Sequence, residues 1–295
     1  MGVDAENIVR TAFLCKADLA TNLVFEFTEL LGFIGCDFAK LSGESNSVAE
    51  GIKEHYFPLN AESELATTIE GQIVGIADKI DTICAVFASG KKPTGSSDPL
   101  GVRRAALGIL KTIIDKKLNI NISELIRNSI ELLPIQTDCA SEVEEFFKQR
   151  LVIFLSDNYK KEVLEACMIK NPLENLVDYM SRIDVVSNLN SPITIENANR
   201  ISRILKDKSF DKIEASLLVD DAEKKLYECV QNVVYTEDYN EFLKQLIGLN
   251  TQIDNFFEKV LVMDKDENIK NNRIALLSKL RNYYEQIADF SLLGK

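Results

Sequence analysis

One histidine, His55, in 295 residues is the rarest chemically versatile side chain of this sequence. That scarcity removes whole classes of chemistry. A zinc or iron site built on several imidazoles cannot form, and a Ser-His-Asp or Cys-His mechanism would have to run entirely through His55. Cysteine pairs are lacking too. Cys15, Cys36, Cys84, Cys139, Cys167 and Cys229 never form a Cys-x-x-Cys spacing, which excludes the usual zinc frameworks and suggests free thiols in the cytosol rather than disulfides. No segment approaches the roughly 20 apolar residues that span a bilayer, and no basic-then-apolar leader opens the chain. The expectation is a cytoplasmic protein without a membrane partner. Strand signals are scarce, and no G-x-x-x-x-G-K-[ST] nucleotide loop surrounds Gly95.

What is present is a hydrophobic content of 46%, enough for a sizeable core, and a length that leaves room for two domains. A formal charge of −12 excludes a protein that is basic all over, so contact with nucleic acid must use local patches. Such segregation exists. Residues 1–90 carry 5 Lys/Arg against 14 Asp/Glu, whereas residues 91–117 carry 7 against 2.

Apolar residues recur at spacings of three and four, the helical period, in nearly every segment. This predicts an all-α protein with helices near 5–20, 23–40, 46–55, 64–88, 99–117, 122–132, 141–156, 173–187, 193–207, 214–234, 238–262 and 268–288. Pro58, Pro93, Pro99, Pro134, Pro172 and Pro192 fall between these runs or at their starts. Asn119, Asn121 and Pro134 mark the end of a first domain, and Asn188–Pro192 a second break. The expected division is 1–120, a linker or body region at 121–190, and 191–295.

Three segments are candidates for function. In the first, Asp98 and Pro99 specify a helix start behind a run of small residues, with Lys91, Lys92, Thr94, Ser96, Arg103, Arg104 and Lys111 close by. Free amides and basic side chains there suit a phosphate. A surface loop whose basic residues are solvated or paired fits the same pattern. In the second, Arg200, Arg203 and Lys206 form a stripe beside the apolar Ile201, Ile204 and Leu205, which suits an RNA backbone or simply a solvated helix face. In the third, Phe256 and Phe257 offer either a base-stacking surface or core, and Arg273 follows in Asn272-Arg273-Ile274. The Asp264–Glu267 cluster lacks the glycine and terminal glutamate of a calcium loop, so no metal is assigned to it.

Taken in order, Cys15-Lys16-Ala17-Asp18-Leu19, Glu26-Phe27-Thr28-Glu29-Leu30-Leu31-Gly32, Val48-Ala49-Glu50 with Glu54-His55-Tyr56-Phe57-Pro58, Ala77-Asp78-Lys79-Ile80-Asp81-Thr82, the Pro93–Gly108 block, Phe256–Met263, Asn272–Leu277 and Ala288-Asp289-Phe290-Ser291 resemble segments of bacterial glycyl-tRNA synthetase β subunits. The resemblance covers essentially the whole chain. It implies a C-terminal fragment of the β subunit, with an HD-superfamily-like helical domain followed by a DALR-type helical anticodon-binding domain. The implied partners are tRNA-Gly and the α subunit, in an α2β2 assembly, with no DNA. ATP and glycine, with magnesium, serve the complete enzyme, whose adenylation site lies on the α subunit. The fragment itself is expected to hold no cofactor, metal or catalytic residue.

Working HD proteins hold a metal with a histidine, a His-Asp pair and a later aspartate. Here Tyr56 follows His55, and Asp78 and Asp81 are left near the final aspartate without their histidines. These three are degenerate positions of that site. A helical subunit-interaction scaffold and, much less favoured, an HD-type phosphohydrolase are the alternatives to the tRNA-binding reading.

Overall fold

The computed structural model describes residues 5–60, 62–93, 98, 100–135, 137–206 and 208–294. Every regular element among them is helical. The chain forms two compact units, one of residues 1–154 with 173–177, the other of residues 155–172 with 178–295.

The first unit contains α1 (Ala5–Leu14), α2 (Asn22–Glu26), α3 (Phe33–Leu41), α4 (Asn46–Glu54), α5 (Ile69–Ala88), α6 (Val102–Lys116), α7 (Ile122–Leu132) and α8 (Ala140–Leu155, whose last residue belongs to the second unit). Helix α5 is its axis and packs against α1, α4, α6 and α7. The cause is a stripe of Ile76, Ile80, Ile83 and Phe87, spaced four, three and four, all buried. Full burial of each such side chain is worth about 2 kcal/mol. Close approach needs a small residue as well, since a Cβ on Gly75 would lie 2.7 Å from the His55 carbonyl oxygen. Thr68 caps α5 by accepting from the Gly71 amide, and the Glu54 carboxylate of α4 receives the amides and hydroxyls of Thr67 and Thr68. That cluster starts α5 at 69 rather than 64.

The helices expected at 5–20 and 23–40 are interrupted, and one side chain explains much of it. Asp18 is buried in a 3-10 turn at Ala17–Ala20, and its Oδ2 accepts from the Gly32 amide at 2.8 Å. Gly32 has φ of 81°, a left-handed conformation that ends one run before α3 begins. Helix α6 also starts later than expected. Gly101, at φ 67°, is the residue before it, and Asp98 caps from a distance by accepting from the Arg103 and Arg104 amides. Pro99 lies outside the described residues.

The second unit contains α9 (Lys161–Ala166), α10 (Leu176–Ser187, whose first two residues belong to the first unit), α11 (Pro192–Leu205), α12 (Asp221–Gln231), α13 (Tyr239–Gly248), α14 (Asn250–Lys259) and α15 (Glu267–Glu285). Helix α15 is buried along much of its length through Ile274, Leu277, Leu280 and Tyr284, and packs on α11 and α12, while α14 packs on both of these. The helix expected at 238–262 divides at Leu249. Asn250 opens α14 with its side chain buried, donating to Thr194 Oγ1 at 2.8 Å and accepting from Asn197 at 3.4 Å. The run expected at 214–234 is helical only at 221–231 apart from a 3-10 turn at 215–217, and α9 forms where no helix is expected.

Candidate nucleic-acid interface

The basic residues of the first unit are displayed unequally. Lys91 and Lys92 are exposed beyond the end of α5, and Lys92 pairs with Glu142 of α8. Thr94 and Ser96 lie outside the described residues. Arg103 is partly buried in the first turn of α6, and Arg104 is exposed, 3.8 Å from Asp98. Lys111 is partly buried two turns along the same helix. The first turn of α6 therefore offers Arg104 most openly. Its own N-terminal amides at 103 and 104 are already occupied by the Asp98 carboxylate, so an incoming phosphate would meet the side chains rather than these amides.

In the second unit Arg200 and Arg203 stand on the outer face of α11, one turn apart, because Ala198, Ile201 and Leu205 take the inner face. They line a groove of about 560 Å³ together with Pro192, Glu196, Asn199 and Gly294. The Arg200 guanidinium lies 4.2 Å from the centre of the Phe257 ring and donates to the Phe257 carbonyl at 3.4 Å. This contact holds a long, exposed side chain in one direction. Lys206 is exposed just past α11 in a left-handed conformation, and its carbonyl accepts from Arg281.

Two candidates lie inside the protein. Arg273, expected as a tRNA contact, is 4% exposed, and its guanidinium bonds Glu223, Asp220, Asp264 and the Leu261 carbonyl. Its charge is consumed inside the protein. Phe256 and Phe257 are core residues whose rings pack edge to face at 5.4 Å, so neither offers a free stacking face. What the linear pattern could not show is the part of Phe257 as a rest for Arg200 and the presence of Gly294 in the groove, since both come from distant parts of the chain.

The three positions that the resemblance reads as remnants of an HD site are also placed. His55 is fully buried, with Nδ1 donating to the Ile52 carbonyl at 2.6 Å and Nε2 without a partner. Burial lowers its pKa to about 4, helped by nearby Lys16. Asp78 is paired with Lys16 at 2.9 Å, and the Lys16 ammonium also lies 4.2 Å from the centre of the Tyr56 ring. Asp81 is exposed. Among the described residues no group of three or more His, Cys, Asp or Glu side chains converges as a metal site would require. A groove of about 410 Å³ beside α12 and α14 mixes Asp220 and Asp221 with Lys225 and Lys259, and its carboxylates would repel phosphate.

Comparison with known proteins decides the family. The sequence model of the glycyl-tRNA synthetase beta subunit matches residues 2–169, more than half of the chain. The chain belongs to the glycyl-tRNA synthetase beta subunit family. The DALR anticodon binding domain matches residues 194–294, which contain most of α11, its groove and the Arg273 cluster. The glycine--tRNA ligase beta subunit of Trichlorobacter lovleyi is 35% identical over 98% of this chain and 44% of its own length. That of Geobacter metallireducens is 36% identical over 97% and 44%, and that of Neisseria gonorrhoeae 34% over 100% and 45%. The chain thus spans a little under half the length of these beta subunit relatives. Among the described residues no helix is long and apolar enough to cross a membrane.

Proposed function

We propose that this chain is the tRNA-handling part of a glycine–tRNA ligase beta subunit, supporting ATP-dependent attachment of glycine to tRNA-Gly in the cytoplasm. Adenylation belongs in this reading to the α subunit of an α2β2 enzyme, where ATP, glycine and magnesium act. The supporting observation is the groove of α11, in which Arg200 and Arg203 stand exposed inside the stretch that matches an anticodon-binding domain. Arg200, aimed by Phe257, and Arg203 contact the anticodon-stem backbone, and Lys206 extends the stripe. In the first unit, read as an HD-like domain that has lost its metal site, Arg103, Arg104, Lys111 and Lys91 contact the body or acceptor arm. Domain limits of 1–120, 121–190 and 191–295 remain part of the proposal.

Titration with tRNA-Gly and a non-cognate tRNA at several salt concentrations tests it. Replacing Arg200 or Arg203 by Glu is expected to weaken tRNA-Gly binding and to lower the log–log salt slope by about one for each lost phosphate contact. Arg104→Glu should act in the same direction. Equal weak binding of both tRNAs, unaffected by Arg200→Glu and Arg203→Glu, would remove the anticodon role of this stripe.

A further inference from the structure

The outer face of α11 is a continuous stripe. Pro192, Ile195, Glu196, Asn199, Arg200 and Arg203 recur at the helical spacing and, with Gly294, line the groove of about 560 Å³. Phosphate binding accounts for the two arginines. It does not account for Glu196, an exposed carboxylate in the middle of a surface that a polyanion must approach.

The carboxylate is also left available. Glu196 and Arg200 stand four apart, the spacing at which opposite charges on a helix pair. Here the Arg200 guanidinium turns instead to Phe257, 4.2 Å from the ring centre and 3.4 Å from the carbonyl oxygen. Among the described residues the Glu196 carboxylate has no ion-pair or hydrogen-bond partner, and the Asn199 carboxamide has none either. A group that only accepts therefore faces the groove beside Asn199, Arg200 and Arg203, which donate.

A phosphate satisfies the donors and is repelled by the carboxylate. A base that carries an exocyclic amine beside a ring acceptor satisfies both. Pro192 and Ile195 offer its ring an apolar wall. Uracil lacks the amine and would turn a carbonyl toward Glu196. Cytosine has it, and cytosine is the base that pairs with the two guanosines opening every glycine codon.

We infer that Glu196 is a specificity-determining residue of this groove: it accepts the exocyclic amine of an unpaired anticodon cytosine, and Asn199 donates to the ring acceptor beside that amine. This assignment rests on the tRNA-Gly reading above and adds to it the side chain that separates one base from another.

The test is binding of this chain to tRNA-Gly and to two transcripts in which one or the other of those cytosines is replaced by uridine. Wild type is expected to bind one of the uridine transcripts about tenfold more weakly, as is usual for the loss of one base contact. Glu196→Ala should reduce that ratio below about threefold, and Glu196→Gln, which keeps one acceptor oxygen, should retain most of it. Thermal unfolding should be unchanged in both variants because Glu196 is exposed. The log–log salt slope should also be unchanged in Glu196→Ala, since no phosphate contact is lost. A wild-type ratio near one, or a ratio that Glu196→Ala leaves as it was, would overturn the inference. An equal gain in affinity for all three transcripts would reveal a carboxylate that merely opposes phosphates, and an equal loss one that holds a ribose; either overturns it as well. If Arg200→Glu and Arg203→Glu weaken tRNA-Gly binding while Glu196→Ala leaves the ratio intact, this inference fails alone. If the arginine variants bind as wild type does, the groove reading fails with it.

Discussion

The two units hold their inward-facing cations differently. In the second, Arg273 meets three carboxylates and a carbonyl, and Arg182, 1% exposed, meets Asp178 and the carbonyls of Cys167 and Ile287. Each arginine ties together segments that are far apart in sequence, and each finds several acceptors. In the first unit Lys79 reaches only neutral carbonyls, those of His55, Phe57 and Gly75, and burial lowers its pKa to about 8. In the same unit Thr11 Oγ1, Asp18 Oδ1, His55 Nε2 and the Tyr56 hydroxyl are buried without partners, as is the Tyr284 hydroxyl in the second. An anticodon-binding platform gains from rigid struts. In the first unit a lysine rests on neutral acceptors alone.

The sharpest way to break this contrast is Arg273→Met. It would leave Glu223 buried and uncompensated, and the expected loss is about 3–5 kcal/mol in denaturant unfolding of the second unit. A loss under about 1 kcal/mol would mean that the ion cluster is no strut.

His55 gives the next effect, through pH. In the unfolded chain it takes up a proton near its ordinary pKa of about 6.5, whereas in the folded chain it resists until about 4. The unfolded state therefore binds more protons between these values, and stability present above pH 6.5 is lost as pH falls toward 4, by about 3 kcal/mol at most. His55→Gln should flatten that part of a stability-versus-pH curve. An unchanged slope would show that other groups carry it.

Lys79→Met is expected to cost less, about 2 kcal/mol, by leaving the three carbonyls without their shared donor. Thermal unfolding at pH 7 would measure it. A stabilised variant would instead show that the buried ammonium is the greater burden.

Much of this fold was readable from periodicity. The stripes of α5, α6 and α11 appear in the sequence as apolar residues three and four apart, and Asn121 marks the start of α7 by its cap. The breaks were not readable where a tertiary hydrogen bond made them: Asp18 reaches Gly32 across fourteen residues, and Asn250 reaches Thr194 across fifty-six. The candidate site divides in the same way. Arg200 and Arg203 are outward because their neighbours are inward, which spacing predicts. Arg273 sits in an equally helical stretch, yet its direction depends on carboxylates from α12 and from the loop before α15.

By itself the sequence determined the helical class, the ordered motifs that place the chain in its family, and the confinement of imidazole chemistry to His55. Those properties are local, set by side-chain type and spacing along one chain. The tertiary structure alone decided which basic residues face solvent and that Phe257 supports Arg200 instead of a base. Exposure and pairing depend on groups brought together from distant positions, and no linear pattern contains that information.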